Sequence, residues 1–193
     1  DYDIQYYNKT FNLAELSTVD FMVEPFAEWE GAAHTFLSFG FGEEYLVISV
    51  EIRKEEGEVF SPWKGLLRQY ELMYVLGDEQ DLIKLRSNYR NDSVYLFPIK
   101  TEKEKVSMLF LDMVERMNTL REEPEFYNTF TSSCTTNIVD HVNVVSPELV
   151  PFDFRLLAPG FSGEYAHELG LIDTNLSWGE AKEYFKINSR ALE

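Results

Sequence analysis

Two β-rich runs joined by a glycine-containing turn place the strongest constraint on how this chain can fold. Residues 33–41 are rich in Phe, residues 44–53 are rich in Val and Ile, and Gly42-Glu43 separates them. Aromatic and β-branched residues on both sides of such a turn predict a β-hairpin. If the loop has two residues, Phe41 lies opposite Glu44, and each further pair keeps the same sum of residue numbers.

The rest of the chain predicts shorter strands and several helices without strict βαβ alternation. This order predicts an α+β fold in which an antiparallel sheet packs against helices. The sequence contains no repeat or linker, so we expect residues 1–193 to form a single domain. Strands are predicted at 17–23, 69–76 and 93–97, and helices at 78–89, 102–120, 162–169 and 177–187.

The only cysteine, Cys134, lies in a run of small hydroxyl residues that precedes the apolar residues Ile138 and Val142. This spacing predicts a helix, and Ser132 or Ser133 is suited to cap its N-terminus. In the first helical turn, unpaired backbone N–H groups and the helix dipole stabilise a thiolate. The segment therefore predicts an activated nucleophile or, because lone cysteines are also small hydrophobes, a core residue.

Composition excludes some partners. The chain has 34 acidic and 17 basic residues, which give a formal net charge of −17. This charge argues against a nucleic-acid partner, because phosphate binding needs clustered Lys and Arg. It also argues against electrostatic docking onto anionic lipids.

Three histidines are candidate partners for the thiol. His141 shares a helix face with Cys134, but seven residues span about 10 Å along a helix, too far for a hydrogen bond. His167 follows Glu164 at a spacing found in carboxylate-bridged metal sites, which need a second copy that the sequence lacks. We interpret His167 as a surface histidine. Without an HExxH motif or a cysteine pair, no metal site is predicted.

The remaining histidine, His34, lies on the first strand of the hairpin. A two-residue or four-residue loop places it opposite Glu51, with Cβ atoms about 5 Å apart. Glu51 can then orient the imidazole and stabilise its cation, as the third member of a catalytic triad does. A three-residue loop would turn Glu51 to the other face. Without the register, Glu51 is an ordinary exposed carboxylate and His34 a buried histidine bonded to backbone.

Six short motifs follow one another along the chain: AHTFLSFGF at 33–41, SVEIRKE at 49–55, DEQD at 78–81, YLFP at 95–98, YNT at 127–129 and CTT at 134–136. Together they resemble the family called the Lnb N-terminal periplasmic domain, over roughly residues 10–170. The resemblance implies a circularly permuted NlpC/P60-like, papain-type fold, with Cys134 as nucleophile and His34 as base. The family usually has Asn at the position of Ser133.

The resemblance also implies where the protein works. Members of the family are extracytoplasmic domains attached to membrane helices. The start at Asp1 rather than Met suits a piece of a longer protein, attached to the membrane through segments absent from this chain. We therefore expect a periplasmic domain.

The expected function is thiol-dependent acyl transfer through a thioester, because some family members move a fatty acyl chain onto lipoproteins. His34 accepts the proton of Cys134, and the Cys134 amide with Ser133 or Ser132 stabilises the oxyanion. No metal or organic cofactor is required. Two alternatives stay open: a thiol peptidase or amidase acting on cell-wall peptides, and an inactive domain that binds an envelope partner.

Four further residues are candidates for contacting the substrate. Tyr70, Tyr74 and Tyr127 can line a groove for an acyl chain or lipid, although aromatic residues more often belong to the core. Arg53 can hold a phosphate or carboxylate of the substrate. Alternatively, Arg53 pairs with Glu51 or another acid.

Overall fold

A five-stranded antiparallel sheet in the order β4-β3-β2-β1-β5 forms the centre of the protein. The computed structural model describes residues 6–192 apart from 27, 56, 59 and 60. The antiparallel sheet and the helices that pack on it confirm the α+β prediction. The strands are β1 (Leu16–Pro25), β2 (Ala33–Phe41), β3 (Glu44–Arg53), β4 (Glu71–Asp78) and β5 (Tyr95–Pro98), and the α-helices are α1 (Pro62–Leu66), α2 (Glu79–Ile83), α3 (Lys103–Glu122), α4 (Cys134–Val145), α5 (Ser162–Glu168) and α6 (Trp178–Tyr184).

The β2–β3 hairpin has the predicted register. Its two-residue turn begins with Gly42, whose φ of +67° suits a residue without a Cβ. Phe41 lies opposite Glu44, and the pairing continues to Phe36 and Ser49. There the β2–β3 pairing stops, although β2 stays paired with β1 as far as Ala33 and β3 with β4 as far as Arg53. The sheet therefore opens between its two central strands at this end.

The two faces of the sheet cover different layers. Alternate residues of the strands, such as Phe21, Leu37 and Ile48, pack with the apolar stripe of α3 and with Ile138 of α4 into the main core. Residues of the opposite face form a smaller cluster around Met22. Successive side chains of a strand point to opposite faces of the sheet. A side chain on one face can therefore contact groups on the other face only where the ladder between two strands is open.

The helices begin and end close to their predicted limits, with one exception. The helix predicted at 78–89 is α-helical only through Ile83 and continues as a π-helix over Lys84–Tyr89. A π segment adds a residue to the turn and redirects the side chains on it, and such segments are common at functional sites. Arg86, one of the buried residues of this segment, faces the site described next.

Candidate active site

Cys134 is the first residue of α4 and is 5% exposed. The preceding residue, Ser133, caps the helix: its hydroxyl accepts a hydrogen bond from the Thr136 amide, and the Thr136 hydroxyl accepts one from the Ser133 amide. This reciprocal capping fixes the first turn. The cysteine packs in an apolar cluster with Val50 and Leu72 of the sheet. The predicted helix start is therefore confirmed, and the thiol lies at the N-terminus where the dipole favours a thiolate.

His34 reaches this thiol through the opening between β2 and β3. The neighbouring Thr35 faces α4, since its hydroxyl lies 2.9 Å from that of Thr135, so strand alternation assigns His34 to the opposite face. The His34 Nε2 atom lies 2.7 Å from Ser49 Oγ and 3.1 Å from Glu51 Oε1. The Cys134 thiol lies close enough to the imidazole for the two side chains to interact through hydrogen bonding and charge.

Mutual charges outweigh burial in setting the pKa values of the thiol and imidazole. Burial lowers the pKa of His34, but the Glu51 carboxylate and the Cys134 thiolate raise it to about 10. Burial raises the pKa of Cys134, but the hydrogen bond and charge of His34, with hydrogen bonds from Thr35, lower it to about 7. Near neutral pH the pair therefore favours thiolate and imidazolium, the reactive form of a nucleophilic cysteine.

Glu51 is ionised in this setting. Burial raises its pKa, but the charge and hydrogen bond of His34, the charge of Arg86 and the Ser49 hydroxyl lower it to about 2. The Ser49 hydroxyl donates a 2.8 Å hydrogen bond to Glu51 Oε1. A carboxylate held in this way orients the imidazole and stabilises its cation.

A buried arginine supports the carboxylate from behind. Arg86 Nη2 lies 3.3 Å from Glu51 Oε1, and Arg86 Nε donates to Glu24 Oε2 at 2.6 Å. Its guanidinium also lies over the Phe36 ring, 4.6 Å from the centroid. Arg86 and Glu24 are 4% and 1% exposed. Burial raises the pKa of Glu24, and the positive charges of Arg86 and His34 lower it by a smaller amount.

Tyr127 lies beside the amide of the nucleophile. The Tyr127 hydroxyl lies within hydrogen-bonding reach of the Cys134 backbone N–H. Burial raises the pKa of Tyr127, and the charges of the thiolate and Glu51 raise it further, so the phenol keeps its proton. Its O–H remains able to donate to an oxygen bound next to the amide.

The two predicted serine donors have other partners. The Ser133 hydroxyl serves the helix cap, and the Ser132 hydroxyl accepts a 3.1 Å hydrogen bond from Asn137 Nδ2. Asn137 Nδ2 also donates to the Ser133 carbonyl at 2.8 Å. These contacts hold the segment before the cysteine in place. Both hydroxyls are thus engaged within this segment, and neither is directed toward an oxygen bound at the Cys134 amide.

Of the predicted substrate-contacting residues, Arg53 and Tyr70 lie apart from the thiol. Arg53 is exposed, and its Nη1 lies 3.3 Å from Glu71 Oε2, so it pairs with an acid as the second interpretation holds. Tyr70 is fully buried, and its hydroxyl accepts a 3.0 Å hydrogen bond from the Ser61 amide. The Tyr70 side chain therefore offers no exposed surface to a substrate, and the exposed Arg53 guanidinium is paired with Glu71.

The third predicted tyrosine, Tyr74, belongs to a separate buried network. It packs against the cluster around Cys134, but its hydroxyl lies 2.7 Å from His141 Nε2. His141 Nδ1 lies 2.5 Å from Asp112 Oδ2. This histidine therefore links α3, α4 and β4 and does not pair with the thiol, in line with the sequence prediction.

The remaining histidine has a backbone partner. His167 Nε2 lies 2.9 Å from the Leu176 carbonyl oxygen. Within the described part of the chain, no group of His, Cys, Asp and Glu side chains is arranged to hold a metal ion.

Sequence reasoning missed four members of the site, Ser49, Thr35, Arg86 and the Glu24 that pairs with Arg86. Ser49 and Thr35 carried a signal: Ser49 precedes Glu51 by two residues, on the same strand face, and Thr35 adjoins His34. Arg86 carried none, because it lies 35 residues after Glu51 in a segment with an ordinary helical pattern. Only the three-dimensional packing of the π-helix against the sheet brings it to the site.

The chain matches the model of a known protein family. The family model described as the Lnb N-terminal periplasmic domain matches residues 2–160, which include Cys134, His34 and Glu51. Neither the curated proteins nor the solved structures contain a match to the chain. Among the described residues, no helix has both the length and the apolarity needed to cross a membrane.

Alkylation of Cys134 should show the lowered thiol pKa. We expect the rate of reaction with iodoacetamide to rise with pH to a midpoint near 7, below the value of about 8.5 for free cysteine. His34→Ala should move the midpoint above 8.5, because burial then acts without an opposing cation. His167→Ala is the matched control and should leave it unchanged. A wild-type midpoint at or above 8.5 would contradict the ion pair.

Removing the buried arginine should destabilise the protein strongly. Arg86→Met leaves the buried Glu24 with only the exposed Arg90, 3.7 Å away, as its cation, and should lower the free energy of unfolding by about 3–5 kcal/mol in urea denaturation. The double variant Glu24→Gln with Arg86→Met removes the stranded charge and should recover part of this loss. Equal losses in the two variants would show that the pair has no electrostatic role.

Proposed function

Because the chain belongs to the Lnb N-terminal periplasmic domain family, and is thus a periplasmic domain, we propose that it catalyses acyl transfer through a thioester on Cys134. The proposed substrates are lipids or lipoproteins of the bacterial envelope. One observation carries the proposal: a cysteine at a helix N-terminus lies within hydrogen-bonding reach of an imidazole whose Nε2 atom contacts Ser49 and Glu51. This is the arrangement that a thiol nucleophile, its base and an orienting carboxylate require.

In the first half-reaction the Cys134 thiolate attacks the carbonyl carbon of an ester. A C–S bond forms, and the carbonyl oxygen becomes an oxyanion between the Cys134 amide and the Tyr127 hydroxyl. The tetrahedral intermediate then breaks its C–O bond, and the His34 imidazolium gives its proton to the departing alkoxide. The products are the thioester on Cys134, the free alcohol and a neutral imidazole.

In the second half-reaction an amine attacks the thioester. Neutral His34 accepts a proton from the amine, the C–S bond breaks, and the thiolate and imidazolium form again. Glu51 and Ser49 keep the Nε2 side of the ring occupied throughout. Water in place of the amine would give hydrolysis by the same steps.

Exposed apolar side chains near the site favour a lipid substrate over a polar peptide. Trp63 and Leu67, in and just after α1, are 75% and 67% exposed, and Phe126 and Phe130 flank Tyr127 with 56% and 51% exposure. Asn128 ties this loop to α1 through a 3.0 Å hydrogen bond to the Leu66 carbonyl. An apolar surface of this kind beside a nucleophile suits contact with acyl chains.

The arrangement of nucleophile and base also supports a fold relation. We propose that the domain is a circularly permuted NlpC/P60-like, papain-type domain. The base His34 lies on β2 and precedes the helix that starts at Cys134 in the chain, as the permuted order requires.

Incubation with phospholipid vesicles should leave an acyl group on Cys134. Mass spectrometry of the intact protein should detect an adduct with the mass of one fatty acyl chain, removable by hydroxylamine. Cys134→Ser and His34→Ala should abolish the adduct, and His167→Ala should retain it. Release of free peptide ends from cell-wall peptides without an adduct would point instead to an amidase. Biological function that survives Cys134→Ser would point to a binding domain.

Tyr127→Phe should slow acylation without changing the thiol. Removal of one oxyanion donor typically lowers the rate about 100-fold, and the alkylation midpoint of Cys134 should stay near 7. Tyr184→Phe, at an exposed position on α6, is the matched control and should acylate at the wild-type rate. An unchanged acylation rate in Tyr127→Phe would remove Tyr127 from the proposed oxyanion site.

A further inference from the structure

An apolar cavity of about 110 Å³ lies between the sheet, α4 and α5. Phe21 and Leu37 of the sheet line it, together with Ile138 and Val142 of α4 and Ala166 of α5. No charged side chain is present among the described residues that line it. The cavity is distinct from the exposed apolar residues on α1 and beside Tyr127, because its described lining residues include none of them.

The polar groups in the lining already have partners. The Thr135 hydroxyl pairs with that of Thr35 at 2.9 Å, the Ser162 hydroxyl donates to the Pro159 carbonyl, and the Tyr165 hydroxyl donates to the Pro151 carbonyl. A buried water needs two to four polar partners, which this lining does not offer. The cavity is therefore suited to hydrocarbon rather than to water or a polar group.

The cavity begins one residue from the nucleophile and continues to the surface. Thr135 lines it, and its Oγ1 lies 3.9 Å from Cys134 Sγ. Leu169 also lines it and is 37% exposed. Val150, in the segment that follows α4, also lines the cavity. The nearby Leu149 and Phe152 of the same segment are 71% and 79% exposed.

We propose that this cavity binds the hydrocarbon chain of the fatty acyl donor. The inference rests on the proposed function and adds to it a site for the chain. A cavity of about 150 Å³ is enough for benzene, so the smaller volume here takes only a few carbons of the chain. The remaining carbons lie along the exposed rim at Leu169, Leu149 and Phe152, while the carbonyl group lies at Cys134.

The test uses cis-parinaric acid, a fatty acid whose fluorescence rises in apolar surroundings, titrated into the whole chain. Cys134→Ser should bind it as the wild type does, because the cavity and not the sulfur holds the chain. Ala166→Phe fills the cavity and should weaken binding about 50-fold, since each buried methylene is worth about fourfold in affinity. Ala14→Phe, at an exposed position, is the matched control and should bind normally.

A second variant covers the case in which Ala166→Phe does not fold. Leu169→Asp places a charge at the exposed mouth and should weaken binding at least tenfold, whereas the equally polar change Leu111→Asp, on the exposed part of α3, should not. Circular dichroism checks that both variants fold. Absence of parinarate binding, or equal affinities in Leu169→Asp and Leu111→Asp, would overturn the inference.

The two proposals fail separately. Thioester formation on Cys134 without parinarate binding would overturn the chain site and leave the proposed chemistry intact. Binding that depends on Leu169 in a protein whose Cys134 never acylates would support the chain site and overturn the chemistry.

Discussion

A row of alternating charges, buried at the open end of the sheet, is the interaction on which the site depends. The thiolate of Cys134, the imidazolium of His34 and the carboxylate of Glu51 are followed by Arg86 and Glu24. Each of these charges would be costly to bury alone, because desolvation of an isolated ion exceeds what a single neighbour returns. Together they alternate in sign, so each one stabilises its neighbours. The thiolate of Cys134 is thus supported even by Glu24 on β1, which is two strands away from the Glu51 strand β3.

The opening between β2 and β3 makes this row possible. A continuous ladder would hold His34 on the face opposite α4, with the backbone of two strands between the imidazole and the thiol. The ladder ends at Phe36 and Ser49, and the next two residues of the same face, His34 and Glu51, have no backbone pairing but contact each other through their side chains at 3.1 Å. The two strands remain paired on their outer sides, β2 with β1 and β3 with β4. The gap therefore costs little pairing and lets one residue serve both faces.

The sequence was informative where local rules decide the geometry. The two-residue turn set the register that brings Glu51 to His34, and the small hydroxyl residues before Cys134 identified the helix start. Two features depended on packing that no local rule describes. One is that Ser133 and not Ser132 caps the helix, and the other is that the Tyr127 hydroxyl lies beside the Cys134 amide. Tyr127 was predicted for its aromatic surface, but its hydroxyl lies beside the Cys134 amide, where the proposed reaction needs an oxyanion donor. Arg86 could not be predicted, because a π-helix has no distinct sequence pattern and the contact spans 35 residues.

The acidic surface and the apolar residues around the site lead to one conclusion about substrate approach. With a net charge of −17, the protein repels anionic head groups over a distance of about one Debye length, some 8 Å at physiological salt. The buried row holds three anions and two cations, so the site itself does not offset this repulsion. Attraction must then come from short-range burial of apolar surface, which acts only on contact. The exposed residues Trp63, Phe126 and Phe130 provide such surface beside Tyr127, so contact at this surface, and not long-range charge, would bring a lipid ester to the thiol.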